Sequence, residues 1–345
     1  MRRGIMVFII IVTYNAKDYI RWCLDSISKQ TYRDIHTLVV DNASMDGTID
    51  IVREYPNTTV IRNINNLGFC KACNQGLQMA LESNASQKPE YVMILNQDTI
   101  LAPDAIEELV RAARARAGVA QFGPKILRYN MSHETDDRWY PVTTTIIDST
   151  GIYPQTSFQF VSRGEGQEDQ SQFPEGEVWG CTGTCNLMRS SDWELIKIRT
   201  REYLDEDLVI YKDDAELSFR LHALGLKTWY VPSSVVYHYR TERGALGDLT
   251  AWNFFNNIRV ARRKRNAFAA FYGYRNQLLI LYKHLTLGQL FRKSIPICWF
   301  ECRKFVYFLF TNPAMLVRAW KDVFRLRKKM KWKKEIMQES IAHRV

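Results

Sequence analysis

Apolar residues in the first hundred positions follow two alternating rhythms. Short runs rich in Ile and Val, at 5–12, 35–41, 58–62 and 91–95, read as strands buried on both faces. Between them, 18–30, 46–55 and 69–81 space their apolar residues three and four apart, as with Ile20, Leu24 and Ile27, and read as helices. Strands alternating with helices predict parallel pairing through right-handed crossovers, hence an α/β, Rossmann-like, mostly parallel sheet flanked by helices.

Polar residues gather where these strands stop: Thr13-Tyr14-Asn15, then Asp41-Asn42, then 63–68, then Asn96-Gln97-Asp98. In open α/β sheets, ligands lie beyond the carboxyl ends of the strands. Asn and Asp also start turns, which suffices for any one of the four. Four in succession point to a site.

The pattern then loosens. Residues 163–176 hold three Gly and a single large apolar residue, Phe173, and read as a mobile, lid-like loop. A strand is expected over 177–188, a helix over 213–224, and short strands over 227–230 and 235–239 around a turn at Pro232. Helices are expected over 253–265 and 267–284. Residues 295–310 are apolar but interrupted by Glu301, Arg303 and Lys304. A further helix from Pro313 places Leu316, Trp320, Val323 and Phe324 on one face, with Arg318, Lys321, Arg325, Lys328 and Lys329 on or beside the other. That is the pattern of a helix lying in a membrane interface.

Charge sharpens this division. From Ala251 onward there are 21 Lys/Arg and 4 Asp/Glu, leaving 26 basic and 33 acidic residues for the first 250. A mildly acidic body with a strongly basic tail implies an anionic partner, a membrane surface or nucleic acid. Aromatic and aliphatic residues interleaved with the basic ones favour the membrane, and no nucleic-acid motif accompanies the charge. The expected division is a catalytic domain over 1–245, with a donor half of about 1–130 and an acceptor half of about 131–245. A basic helical region follows over 246–345. Seven cysteines without a dense spacing read as reduced thiols of a cytoplasmic protein. The apolar run after Arg2-Arg3 is short and lacks a small-residue cleavage site, so it reads as a strand rather than a signal peptide. No stretch of about 20 apolar residues is present, so peripheral attachment is expected.

Several motifs then fall in order. Val12-Thr13-Tyr14-Asn15, Val40-Asp41-Asn42-Ala43-Ser44-x-Asp46-Gly47-Thr48, and Asn66-x-Gly68-Phe69-x-x-Ala72-x-Asn74-x-Gly76 resemble successive signatures of glycosyltransferase family 2. Leu95-Asn96-Gln97-Asp98-Thr99 resembles its metal-binding Asp-x-Asp region, closest to the Asn-Pro-Asp form of rhamnosyltransferase-like members. Asp205-Glu206, the segment 211–217 and Arg220 resemble its catalytic segment, Val236-Tyr237-His238 a late histidine, and Tyr272-x-x-Arg275-Asn276 a tail motif. The resemblance implies a GT-A fold and an inverting transfer from a nucleoside-diphosphate sugar, by analogy a rhamnose donor, to a lipid-linked glycan of a surface polysaccharide. It implies a cytoplasmic enzyme peripheral to the inner face of the membrane.

It also distributes roles. Thr13, Tyr14, Asn15, Asp41, Asn42, Asn66, Gly68, Asn74, Asn96 and Gln97 are expected around the nucleotide sugar. Asp41 at a strand end can accept from a base or ribose, or simply cap its turn. Asp98 suits Mg2+ or Mn2+, which favour oxygen ligands and share their shell with phosphates. His238 is the further ligand by resemblance, and a strand-end histidine otherwise. Asn96 replaces the first acid of Asp-x-Asp, so the protein's share of the metal shell is thin. Asp213 and Asp214 open a helix, where carboxylates are favoured electrostatically. The family's acid pair selects Asp214 as general base, with Glu216 and Trp179 facing the acceptor; core packing serves Trp179 equally well.

Two rivals differ in class. A dinucleotide oxidoreductase needs Gly-x-Gly-x-x-Gly after the first strand, and 13–17 contain no glycine. A non-catalytic relative that only docks partners would explain Asn96.

Overall fold

The computed structural model describes residues 6–82, 88–133, 139–240 and 267–342. Four parallel strands make its first layer: β1 (Val7–Thr13), β2 (Ile35–Asp41), β3 (Thr58–Arg62) and β4 (Tyr91–Asn96). Side chains alternate across a strand, and both faces of β1 are used. Val7, Ile9 and Ile11 join Val39, Met93 and Leu95 in the main core, against Ile20, Leu24 and Ile27 of α1 (Ile20–Ser28). Ile10 points the other way, toward α3 (Phe69–Glu82), which follows α2 (Thr48–Arg53). A Cβ on Gly76 would stand 2.6 Å from Ile10 Cγ2, so glycine permits that close crossing.

The loosened part of the sequence builds the rest of a mixed sheet. The strands run in the order β10-β12-β6-β11-β4-β1-β2-β3. Here β5 is Thr99–Leu101, β6 Val119–His133, β7 Trp139–Ser149, β10 Gly176–Val178, β11 Cys185–Arg189 and β12 Lys227–Tyr239. A two-stranded sheet pairs β8 (Ile152–Pro154) with β9 (Phe160–Ser162). Two helices of this part were not expected from the pattern: α4 (Ala105–Ala115), with Ile106, Leu109 and Val110 in the main core, and the short α5 (Ser190–Leu195). The expected strand over 177–188 is two strands, β10 and β11, because 179–184 turn between them. The two expected strands around Pro232 are instead one, β12, whose register shifts between Val231 and Val235. A shift of that kind is where proline is tolerated in a sheet. The expected helix over 213–224 is α6 (Asp213–Ala223).

The loop over 163–176 is strapped down rather than free. Lys125 Nζ donates to Asp169 at 2.7 Å, Arg163 Nε to Thr150 Oγ1 at 2.9 Å, and Trp229 Nε1 to Glu175 at 3.0 Å. Burying charge and backbone this way needs partners, and two of these three, Lys125 and Trp229, come from the sheet.

A second unit comprises 154–161, 210–212 and the chain from 241 onward. Its described helices are α7 (Ala267–His284), α8 (Leu287–Arg292), α9 (Ser294–Thr311) and α10 (Pro313–Ala342). The expected boundary at 245/246 and the expected helix over 253–265 lie outside the described residues. Ala270, Phe271 and Tyr274 of α7 form a core with Tyr307 and Phe308 of α9 and Met315, Leu316 and Ala319 of α10. The expectation for α10 meets the structure in part: Leu316 and Trp320 pack inward, while Phe324 of the same face is exposed. The apolar side chains left exposed lie mainly on α8 and α9: Leu287, Phe291, Ile295, Trp299 and Phe310. No described helix is long and apolar enough to cross a membrane.

Cys23, Cys70, Cys73, Cys181 and Cys185 are free thiols enclosed in the first unit, while Cys298 and Cys302 are exposed on α9. Burial pushes the thiols of Cys70 and Cys73 well up, with the Asp213 charge adding to it. Titration with an aromatic disulfide is expected to modify Cys298 and Cys302 in the native protein, and the other five only after unfolding.

Candidate active site

The sheet reverses its winding between β1 and β4, and in open α/β sheets ligands bind in the crevice at such a reversal, beyond the strands' carboxyl ends. Gln97 bridges it, its Oε1 accepting the Tyr14 N–H at 2.9 Å. Tyr14 is about half exposed beside it. Asp41 is fully buried, accepting from Thr13 Oγ1 at 3.0 Å and from Ser44 N at 3.1 Å, with Arg62 Nε 4.0 Å away. Asp41 thus caps its own turn, as expected, and also fixes the neighbouring strand end.

Much of the motif after Asp41 is a clamp. Ser44 Oγ, Thr48 Oγ1 and Asp46 Oδ2 accept the backbone N–H groups of Asn15, Ala16 and Lys17 at 2.9, 2.8 and 3.0 Å. Asn15 returns the contact, accepting from Met45 N at 3.0 Å while held at φ 49°. Asn42 ties down the third strand-end loop, accepting from Asn63 Nδ2 at 3.0 Å and donating to the Gly68 carbonyl at 3.2 Å. Asn66 is exposed and accepts from Gly68 N at 2.9 Å.

Two of the residues expected around the nucleotide sugar have other uses. Asn74 is wholly buried, donating to Leu204 O and Glu206 Oε1 and accepting from Tyr203 N and Leu204 N. Those four bonds exhaust its amide, so it anchors 203–206 instead of meeting a donor. Gly68 sits at φ 86°, and a Cβ there would stand 2.6 Å from Val209 Cγ1 and 3.0 Å from Val209 O. Gly68→Ala is expected to destabilise the fold by about 1–3 kcal/mol, through overpacking and backbone strain. Urea unfolding measures it.

Asp98 and His238 come together because β5 pairs antiparallel with β12, with His238 opposite Thr99. His238 Nε2 lies 3.4 Å from Asp98 Oδ1, and Nδ1 lies 2.9 Å from Asp148 Oδ2. Burial alone would lower the imidazole's pKa, but the Asp98 charge and the Asp148 hydrogen bond together raise it to about 9. Asp148 also accepts from Arg240 Nη1 at 2.9 Å, and its own pKa is lowered by His238 and the nearby arginines against the opposing effect of burial. A carboxylate holding the far nitrogen of a histidine is the usual support of a metal ligand. Asp148 was missed in the sequence, although it ends an apolar stretch, Ile146-Ile147-Asp148, as the other strand-end acids do.

The acid pair opens α6. Asp214 is partly exposed; its Oδ1 accepts from Ala215 N at 2.7 Å and its Oδ2 faces Gly183 N at 3.4 Å. The residue after Gly183 reaches the end of β4, Thr184 O accepting from Asn96 N at 2.8 Å. One turn thus connects the base candidate with the end of β4. Asp213 is buried, and burial followed by the Asp214 charge raises its carboxyl to about 7. Below about pH 7, Asp213 is mostly protonated. Glu216 does not face an acceptor: it is fully buried in a two-pronged pair with Arg220 at 2.8–3.0 Å. Trp179 is half-buried and stacks on His222 of α6 with ring centres 4.7 Å apart. Glu202, Asp205 and Asp207 bring ligand atoms within 4.8 Å of one another before α6. Glu202 there pairs with Arg199, and Asp205 caps the turn through Asp207 N.

Residues 8–195 match the sequence model of Glycosyl transferase family 2. The chain belongs to that family. This family 2 glycosyltransferase is 28% identical over 246 residues to the N-acetylglucosaminyl-diphospho-decaprenol L-rhamnosyltransferase of Mycobacterium tuberculosis, covering 67% of this chain and 75% of that one. It is 23% identical over 267 residues to the rhamnosyltransferase WbbL of Escherichia coli K12, covering 75% and 94%. A crystal structure of GalNAc-T7 with UDP, GalNAc and Mn2+ shares the GT-A fold over 85% of this chain, with a TM-score of 0.52 and 14% identity. The chain spans 55% of that structure's chain.

Proposed function

We propose that this enzyme transfers a sugar, rhamnose in the first instance, from a nucleoside-diphosphate donor to a lipid-linked glycan during surface-polysaccharide synthesis. The observation that carries the reading is the partly exposed Asp214, held by Gly183 on a turn that also binds the end of β4. The donor lies in the crevice between β1 and β4, over Tyr14 and Gln97, with Asp41 and Thr13 shaping its floor. Asp214 takes the proton of the acceptor hydroxyl, and that oxygen displaces the nucleoside diphosphate in line, inverting the anomeric carbon. Below about pH 7, buried Asp213 holds its proton and spares Asp214 a second adjacent charge.

Asp98 and His238 fit a divalent cation, Mg2+ or Mn2+: one carboxylate, one imidazole, and Asp148 to fix the ring. When bound, the cation supplies charge neutralisation for the departing diphosphate. Thermal-shift titration tests this pairing. Deoxythymidine-diphospho-rhamnose should raise the unfolding temperature, and more so with Mn2+. A rise with unrelated nucleotide sugars only would redirect the donor assignment.

The acceptor's lipid suggests a membrane-bound workplace. The exposed Phe291, Ile295, Trp299 and Phe310, among the basic residues of the tail, support attachment of the second unit to an anionic bilayer on the cytoplasmic side. Flotation with phosphatidylglycerol vesicles, compared with Ile295→Glu/Trp299→Glu, checks it. A duplex gel shift without vesicle binding would favour nucleic acid instead.

A further inference from the structure

The short connector ahead of the acid pair is under backbone strain. Val209 lies at φ 67° and ψ −58°, and Tyr211 and Lys212 at φ 65° and 62°. Positive φ is rare for non-glycine residues, and for a β-branched valine in a γ-turn it is a true outlier. Such strain persists only where the surroundings over-determine it.

Two sets of contacts do so. In the first unit, the Val209 carbonyl accepts from Cys70 N at 3.0 Å, and Val209 Cγ1 fills the space left by the missing Cβ of Gly68. In the second unit, the Asn276 amide donates to both Ile210 O and Tyr211 O, at 2.8 and 2.9 Å. Asn276 is itself fixed. Its Oδ1 accepts from Arg275 Nε and Nη2 at 2.9 and 2.8 Å, which leaves only the NH2 end to face the two carbonyls. Arg275 is anchored in turn by Asp322 at 3.3 Å and stacks over the Tyr272 ring at 4.7 Å. Asn276 is fully buried and Arg275 nearly so. The tail motif Tyr272-x-x-Arg275-Asn276 is therefore one hydrogen-bonded device, and both ends of its clamp lie within the same unit.

We infer that Asn276 is a positioning residue for the transfer reaction: by holding the carbonyls of Ile210 and Tyr211, it sets the strained backbone that leads through Lys212 into Asp213 and Asp214. The coupling runs along the peptide chain itself, two residues from the clamped carbonyl to the start of α6. It rests on the reading of Asp214 as general base. A buried amide feeding two carbonyls would serve stability anywhere; its place just before a catalytic acid gives it a kinetic role. Misplacing a reacting group by about an ångström costs on the order of 100-fold in rate.

The test compares full-length wild type with Asn276→Ala, Asn276→Asp and the milder Asp322→Asn. Transfer kinetics with deoxythymidine-diphospho-rhamnose are followed alongside amide hydrogen exchange over 210–217. The expected result is a kcat lowered about 10–100-fold in both Asn276 variants, with the donor KM within about twofold of wild type. Exchange at the start of α6 should accelerate about tenfold. Unchanged kcat and unchanged exchange in a folded Asn276→Ala protein would overturn the inference. So would a loss that falls wholly on donor KM. If neither Asn276 variant folds, Asp322→Asn decides: a smaller fall in kcat with the same exchange signature supports the clamp, and wild-type values in both overturn it. A wild type with no transfer activity refutes the proposed reaction, and exchange alone then decides whether the clamp holds the acid pair.

Discussion

Asp214→Asn is expected to bind the donor as tightly as wild type and to lose about 10²–10⁴-fold in kcat, the range for removal of a general base. Asn preserves the size of the side chain and can still accept from Ala215 N, so the start of α6 should survive. A fall in kcat and kcat/KM together, with donor affinity intact, places the loss in the transition state. The neighbouring acid behaves differently. Asp213 is raised to about 7 by burial and by the Asp214 charge, so the folded state holds an extra proton between its ordinary value of 3.8 and that point. The stabilisation is complete below about pH 4 and is lost as pH rises through about 7. Asp213→Asn should therefore unfold at a higher temperature than wild type above pH 7, with the gap closing toward pH 4. Thermal unfolding across that range reads the sign directly.

The second large effect concerns His238. His238→Ala removes the proposed metal ligand and is expected to abolish metal-stimulated transfer. Asp148→Asn removes only its orienting partner, and should raise the Mn2+ concentration for half-maximal activity about 10–100-fold. Metal titration of the initial rate separates the two variants. Equal half-maximal concentrations in wild type and Asp148→Asn would remove Asp148 from the site.

The parallel half of the fold was legible because both of its rhythms are local. β2 and β3 occupy the residues that the apolar runs predicted, and α3 extends one residue beyond its expected end. The edges were blurred where caps decide them: the helix expected from residue 46 starts at Thr48, because Asp46 accepts from Lys17 N and Thr48 instead of entering the helix. The mixed half was poorly legible. β6 and β7 pair antiparallel over 126–133 and 139–149, and no local rhythm announces such partners. The strand break at 179–184 was hidden for a similar reason, since Gly180 is required by Ser218 of a distant helix, whose Oγ leaves no room for a Cβ.

The site followed the same rule. Asp41, Asp98 and Asp214 stood out as candidates because acids at strand ends and helix starts carry a positional signal. The roles of Asn74 and Glu216 could not be read. Each looks like a ligand in a motif, and each is consumed by partners far along the chain, Asn74 by 203–206 and Glu216 by Arg220, which is itself held at Ile196 O. The ordered straps on 163–176 were invisible for a different reason. Its polar composition is that of a mobile loop, yet Asp169, Glu175 and Arg163 each meet a fixed partner.

One measurement bears most directly on the chemistry. The enzyme is incubated with deoxythymidine-diphospho-rhamnose, a polyprenyl-diphospho-N-acetylglucosamine acceptor and Mn2+, and the anomeric configuration of the product is read by proton NMR. The expected product carries rhamnose in the configuration opposite to the donor's, and Asp214→Asn forms almost none of it. Retained configuration, or undiminished transfer by Asp214→Asn, would contradict a direct displacement driven by Asp214.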